Sequence, residues 1–388
     1  LIDNKELKTP YYCFDESILR RHLVELNTIR EKYTDDDLRF CYAVKANSFL
    51  IPYMDKYVDH FEVCSWGELK ICIQYGVNPG KIILSGVNKE VGMIADAIEY
   101  GVRLFTAESM HQYHEIVRQV EGTDISISLL PRLSNGAQFG MDQSCIEEII
   151  KDSAGHSGVK VIGIHYFTGT QKKKYSKIES ELKLLEEFID RLKDKYAFEA
   201  ELLEYGPGLG VPYFIGDDFD DYYSVYEEMV RFISSANYSY RVNLEMGRFF
   251  VASCGEYVTS VADVKGTPEA PILILDGGRN HISYYGQNMV MKTPVIVPEK
   301  GKETDVVPCD LYGSLCSFND MIARAVMISE PKIGDRLSFK NIGAYSITEG
   351  IYLFLSRDLP AVYVKEEDGS YRMLRNSNNT YETNCFHM

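Results

Sequence analysis

Eight short apolar runs, each followed by polar or helical sequence, constrain this chain more than any other feature. They are Arg39–Val44, Phe61–Ser65, Lys81–Ser85, Leu104–Ala107, Ser126–Arg132, Val159–Tyr166, Leu202–Tyr205 and Val242–Glu245. Such runs suit strands buried on both faces, and parallel buried strands need a crossover element between them. The gaps provide it: Ile178, Leu182, Leu185, Phe188 and Leu192 recur at helical spacing between the sixth and seventh runs. Eight strand-then-helix units over about 230 residues match a closed (β/α)8 TIM barrel. An open doubly wound sheet would carry Gly-x-Gly-x-x-Gly after its first strand, and none stands there. Ahead of the runs a helix is predicted over Asp15–Tyr33, capped by Asp15 and carrying Ile18, Leu19, Leu23, Leu26 and Ile29 on one face.

From about Phe250 the rhythm changes. Tyr257–Val264, Pro271–Leu275, Met289–Val297, Ala325–Ile328, Arg336–Phe339, Ala361–Lys365 and Tyr371–Leu374 read as strands, separated mostly by Gly, Pro, Asp or Asn. The expected fold is therefore α/β: a barrel over residues 1–249, then an all-β sandwich or barrel over 250–388. Residues up to about 15 are expected to pack on the β domain, and 376–388 to form a loose tail.

Composition narrows the class of function. A formal charge of −16 over 388 residues opposes nucleic acid and anionic membrane surfaces as partners. No apolar run approaches a membrane span, and Leu1–Lys5 carries no signal-peptide pattern. Nine scattered cysteines without a Cys-x-x-Cys pair suit reduced thiols in a cytoplasm, with no metal site expected.

In a barrel the working residues lie where the strands end. Strand one ends at Lys45, where strand character gives way to Ala46-Asn47-Ser48. A lysine held there, partly out of water, suits imine formation with an aldehyde. Strand six runs into His165–Gln171, strand seven into Glu204–Gly210, and strand eight into Glu245-Met246-Gly247-Arg248. Gly206, Gly208, Gly210 and Gly247 let backbone N–H groups approach a phosphate, with Arg248 beside them. Glu245 suits a protonated heterocyclic nitrogen. An imine lysine, a phosphate cradle and a carboxylate for a ring nitrogen together describe a pyridoxal 5′-phosphate site.

These motifs, in this order, resemble the fold-type III pyridoxal-phosphate decarboxylases, which include the diaminopimelate, ornithine and arginine decarboxylases. The resemblance rests on Ala43-Val44-Lys45-Ala46-Asn47, Gly206-Pro207-Gly208-Leu209-Gly210, Glu245-Met246-Gly247-Arg248, Gly313-Ser314-Leu315-Cys316 and Gly343-Ala344-Tyr345. Pro207 stands where a third glycine is usual, and Met246 where a proline is usual. The resemblance implies a decarboxylase that removes the α-carboxylate of an amino acid. It implies a homodimer in which Lys45 of one chain meets Cys316 and the Asp320 region of the other. Cys316 would protonate the α-carbon, while Thr170, Gly206, Gly208, Gly210, Gly247, Arg248 and Tyr345 would hold the phosphate.

Departures bear on the substrate. Phe167 stands where most relatives stack a histidine on the cofactor, and His165 reads as a satisfied core residue. Ser317 replaces a glutamate that reads a distal ammonium, and Tyr284 falls where an arginine reads a distal carboxylate. Losing both argues against diaminopimelate; nearby Arg279 is a candidate replacement. Thr168–Gln171 and Gly210–Phe214 look more like the branch acting on carrier-protein-tethered amino acids, and Lys172-Lys173-Lys174 could meet an acidic carrier or simply be solvated. Two other readings compete: an alanine-racemase-like isomerase and a non-catalytic binding protein.

Overall fold

The computed structural model describes residues 6–34, 37–217, 221, 223–285, 291–300 and 304–386. Within these, the chain divides into two compact units: one takes in 23–210 and 220–249, the other 1–22, 211–219 and 250–388.

The first strand, β1 (Tyr11–Asp15), belongs to the second unit. It passes into the helix Glu16–Tyr33, whose start is capped as expected: Ile18 N–H donates to Asp15 Oδ1 at 3.0 Å. The first unit then carries β2 (Leu38–Ala43), β3 (His60–Val63), β4 (Ile82–Leu84), β5 (Leu104–Ala107), β6 (Ile127–Pro131), β7 (Val159–Val161), β8 (Gly163–Phe167), β9 (Leu202–Gly206) and β10 (Arg241–Met246). All neighbours pair in parallel, in the order β7-β6-β5-β4-β3-β2-β10-β9-β8. A parallel bridge from Arg132, just past β6, to His165 of β8 ties this sheet back on itself, so the TIM barrel is present and nearly closed. The barrel has nine strands rather than eight because the sixth run splits at Ile162. Ile162 N–H donates inward to Leu129 O at 3.0 Å, while its carbonyl accepts from Glu201 and Leu202 on the other side. The next residue, Gly163, lies so close to the backbone of Leu202 that a Cβ would fall on its carbonyl oxygen.

Helices fill the gaps by burying one face each. In Tyr175–Tyr196 the predicted stripe Ile178, Leu182, Leu185, Phe188 and Leu192 is buried. No helix among the described residues is long and apolar enough to cross a membrane.

The second unit continues with β11 (Gly255–Thr267), β12 (Ala270–Leu275), β13 (Ile296–Pro298), β14 (Val306–Tyr312), β15 (Met321–Ser329), β16 (Arg336–Lys340), β17 (Ala361–Lys365) and β18 (Tyr371–Arg375). With β1 they form a nine-stranded mixed sheet of order β15-β14-β12-β11-β1-β17-β18, β16 joining β11 to β13. Two strands escape the sequence reading, β1 and β14. Tyr11, Tyr12, Cys13 and Phe14 form a run too short to declare itself, but all four are buried between β11 and β17. Of the run Met289–Val297, residues 289 and 290 lie outside the described residues, and only its end joins β13.

Candidate active site

Lys45 leaves β2 in a single 3-10 turn, Val44–Ala46, locked from behind by Asn47. The Asn47 side chain accepts from Phe49 N–H at 3.1 Å, its carbonyl accepts from the Tyr42 hydroxyl at 2.8 Å, and it is fully buried. The turn therefore fixes where the lysine stem starts. Lys45 Nζ donates to Glu62 Oε2 at 2.6 Å and lies 3.7 Å from Glu245 Oε1 and 3.6 Å from Cys64 Sγ. Glu62 lies in β3, which pairs with β2, and Glu245 sits in β10, the other neighbour of β2. The ammonium is thus flanked by carboxylates from both adjacent strands.

Glu245 is buried, and His165 Nε2 of β8 comes within 3.1 Å of its Oε2 without the alignment of a hydrogen bond. Oε2 has no hydrogen-bond partner. Burial pushes this carboxyl up, but the charge of Lys45, together with His165 and Arg132, outweighs burial and holds it below the usual carboxylate range. Deeper in the barrel, Glu204 is fully buried and accepts from Asn243 Nδ2 at 2.5 Å. Burial first, and then the charge of Glu245, drive the Glu204 carboxyl well above its ordinary value. Two carboxyl groups in one barrel end are therefore pushed in opposite directions, Glu245 toward the ion and Glu204 toward the neutral acid.

Four further residues, Glu62, Cys64, Arg132 and Glu108, join this cluster without having been singled out from the sequence. Glu62 accepts from Lys45 and, through Oε1, from the Cys64 thiol at 2.9 Å. Arg132 follows β6, and its Nη1 donates to Glu108 Oε1 at 2.8 Å with both side chains buried. Glu62 and Arg132 are charged residues within or ending apolar runs, and that is the signal that could have marked them.

The glycine loop after β9 is pinned against the loop after β8. Lys172 N–H donates to Gly208 O at 2.8 Å, and Gly210 N–H donates to Lys172 O at 3.0 Å. Gly208 has φ +62°, and a Cβ there would fall on the Gly169 carbonyl oxygen. At Gly206 a Cβ would press into the Phe167 ring. Arg248 Nε donates to Thr170 Oγ1 at 3.3 Å. The barrel unit thus gathers Lys45 and Glu245 with their partners, and separately Phe167, Thr170, Gly206, Gly208 and Arg248; Gly210 and Gly247 lie in the same strand-end segments. Lys172 is not a surface charge. It is buried, with Nζ donating to Glu181 Oε2 at 2.6 Å, and only Lys173 and Lys174 of that run are exposed.

In the β unit, Cys316, Ser317 and Arg279 line one cavity of 560 Å³. Cys316 and Ser317 are exposed. Asp320, which the resemblance places near substrate, is turned into its own loop: its carboxylate accepts from Arg279 N–H at 2.9 Å and Leu315 N–H at 2.7 Å, and it is 2% exposed. It braces the Cys316 loop. Tyr284 is also spent structurally, its hydroxyl donating to Lys340 O at 2.8 Å and its ring packed edge-on against Tyr213. That contact buries much of the Gly210–Phe214 stretch, with Val211, Tyr213 and Phe214 in the core. Tyr345 holds a left-handed backbone at φ +66°, a conformation an aromatic residue rarely adopts.

Comparison with known proteins gives one consistent result. Residues 19–252 match the pyridoxal binding domain of the pyridoxal-dependent decarboxylases. The chain is 25% identical to an L-glutamyl-[BtrI acyl-carrier protein] decarboxylase of Niallia circulans, covering 96% of this chain and 92% of that one. It is 24% identical to a diaminopimelate decarboxylase of Campylobacter jejuni, covering 89% of each. Among solved structures it resembles the M. jannaschii diaminopimelate decarboxylase in co-complex with L-lysine, with a TM-score of 0.85 and 23% identity over 96% of this chain and 90% of that one.

Proposed function

The chain belongs to the pyridoxal-dependent decarboxylase family, and on that premise we propose how its own residues do the work. It is a pyridoxal-dependent amino acid decarboxylase. Lys45 would anchor pyridoxal 5′-phosphate, Glu245 would pair with its ring nitrogen, and Phe167 would offer an apolar face to its ring. Thr170, Gly206, Gly208, Gly210, Gly247 and Arg248 would hold its phosphate. The residues fit that cofactor: a buried carboxylate oxygen waits without a hydrogen-bond partner, and the glycine loop packs too tightly to admit a Cβ at Gly206 or Gly208. When bound, the cofactor supplies an electron sink for the pair left as carbon dioxide departs.

The chain's residues do the rest. Glu62 keeps Lys45 oriented and able to exchange with the substrate amine, and His165 and Arg132 keep Glu245 ionised. Cys316 delivers the proton to the α-carbon from the partner chain of a homodimer. The observation that carries the assignment is Lys45, in the turn just past β2, lying 3.7 Å from Glu245 on the adjacent strand β10. The substrate is a free or carrier-tethered amino acid other than diaminopimelate, since Ser317 and Tyr284 replace both readers of its distal end. Nine free thiols among the described residues agree with work in a reducing cytoplasm.

The test is the visible absorption spectrum of the protein beside Lys45→Ala, followed by borohydride reduction and peptide mapping. A cofactor band absent from the variant, with the reduced adduct on Lys45, is expected. A folded Lys45→Ala with the wild-type band would refute the anchor. Mixing Lys45→Ala with Cys316→Ala should recover activity neither has alone; no recovery from mixed dimers would refute the shared site.

A further inference from the structure

The 560 Å³ cavity beside the Cys316 loop is set apart by its charge. The chain carries a formal −16, yet this lining contains two guanidinium groups, Arg279 and Arg324, and no carboxylate. A neighbouring cavity of 680 Å³, which shares Arg279, is lined by Asp320 and Glu349, so the lack of acids is local. Both arginines are placed. Arg279 follows β12; its N–H is held by Asp320 and its Nη1 donates to Asn319 O at 3.1 Å, so the fork is steadied by the loop that carries Cys316. Arg324 stands in β15, where its Nε contacts Met321 Sδ at 2.9 Å. Tyr312 and Ser317 add hydroxyl groups to the same wall.

A planar guanidinium matches the two oxygens of a carboxylate or phosphate, and two at one cavity reject a cationic ligand end by like charge. We propose that this cavity binds an oxyanion on the distal part of the substrate, with Arg279 and Arg324 as its readers. The proposal rests on the decarboxylase reading above. It makes the enzyme one for an anionic rather than a basic substrate end, because a cationic end would face two positive charges and no acid. The oxyanion has two available sources, the side-chain carboxylate of a free acidic amino acid and the phosphate of a carrier's pantetheine arm.

Isothermal titration of the purified protein with glutarate, with 4′-phosphopantetheine and with 1,5-diaminopentane separates these. One or both anions should bind and the diamine should not. Arg279→Gln and Arg324→Gln should each weaken the anion at least tenfold, with Arg324→Lys restoring part of the loss. Glutarate alone identifies a free acidic substrate, and phosphopantetheine alone identifies the carrier arm. In turnover the same variants should raise KM for the matching substrate with kcat changed little. Near-ultraviolet circular dichroism of each variant checks that the β unit is intact. Anion binding equal in wild type and in the folded double variant, or diamine binding as tight as the anion, overturns the proposal. Failure of the decarboxylase reading shows separately, as absence of the cofactor band, and leaves the titrations interpretable.

Discussion

Replacing Glu245 by Gln removes one charge while keeping shape, so it probes the electrostatics of the barrel end without opening a cavity. Glu245 Oε1 lies 3.7 Å from Lys45 Nζ, whose side chain is 38% exposed. At an effective dielectric of about 20, a unit positive charge at that distance is attracted by about 4 kcal/mol. Solvent at the half-open lysine reduces this toward the roughly 1.5–3 kcal/mol typical of a charge-assisted hydrogen bond. The same carboxylate charge would hold a proton on the ring nitrogen when the cofactor is bound, so a loss of similar size is expected in kcat, as a fall of roughly 10- to 100-fold. KM should stay within about threefold, because Glu62 still holds Lys45 and the phosphate cradle is untouched. The assay is carbon dioxide release under saturating cofactor, with the visible band recorded in parallel to show that the variant is loaded. Glu245→Asp, which keeps the charge and shortens its reach, should fall between. A fully loaded Glu245→Gln with kcat within about threefold of wild type would refute the assignment of Glu245 to the ring nitrogen.

Glu204→Gln tests the split between the two carboxyl groups. Because the folded Glu204 value lies well above its ordinary 4.5, the native state keeps a proton that the unfolded chain releases, and stability falls as pH rises through that interval. Glu245 acts in the opposite sense: its depressed value supports the fold above about pH 4.5, and that support is lost on acidification. Urea midpoints from pH 5 to 8 should therefore decline in the wild type relative to Glu204→Gln, and parallel curves would count against a neutral Glu204. Gly208→Ala should weaken cofactor binding about tenfold or more by equilibrium dialysis, since a left-handed alanine costs about 1–2 kcal/mol before its Cβ displaces the Gly169 carbonyl. Unchanged affinity would mean that this loop does not hold the phosphate. Phe188→Ala, at a position 1% exposed, should cost about 3–5 kcal/mol in urea unfolding, whereas Leu184→Ala on the open face of the same helix, 43% exposed, should cost under about 0.5.

The local parts of the fold are legible in the residues. The helix Tyr175–Tyr196 follows from five apolar positions at helical spacing, and the barrel from the alternation of buried runs with such helices. Lys45 and Glu245 could be named because each ends a run, and a barrel gathers strand ends. Other features needed partners far away in the chain. β1 carries four buried residues that become part of a strand only between β11 and β17, more than 240 residues further on. Lys172, read as the start of a solvated run, is buried because Glu181 returns to it from the next helix. Asp320 reads as a substrate contact until the backbone N–H groups of Arg279 and Leu315 are seen to occupy it.

The sequence by itself determined the barrel, the β unit and the strand-end placing of Lys45, the glycine loop and Glu245, because periodicity, turn chemistry and strand ends are properties of neighbouring residues; Cys316 was picked out only by its resemblance to a family motif. Only the tertiary structure decided which charges meet. Glu62 against Lys45, Arg132 against Glu108, Glu204 pushed up beneath a Glu245 held down, and two arginines around an acid-free cavity all arise from strand pairing and loop placement. Protonation and pairing depend on distance through a low-dielectric interior, and distance between residues far apart in sequence exists only once the chain has closed on itself.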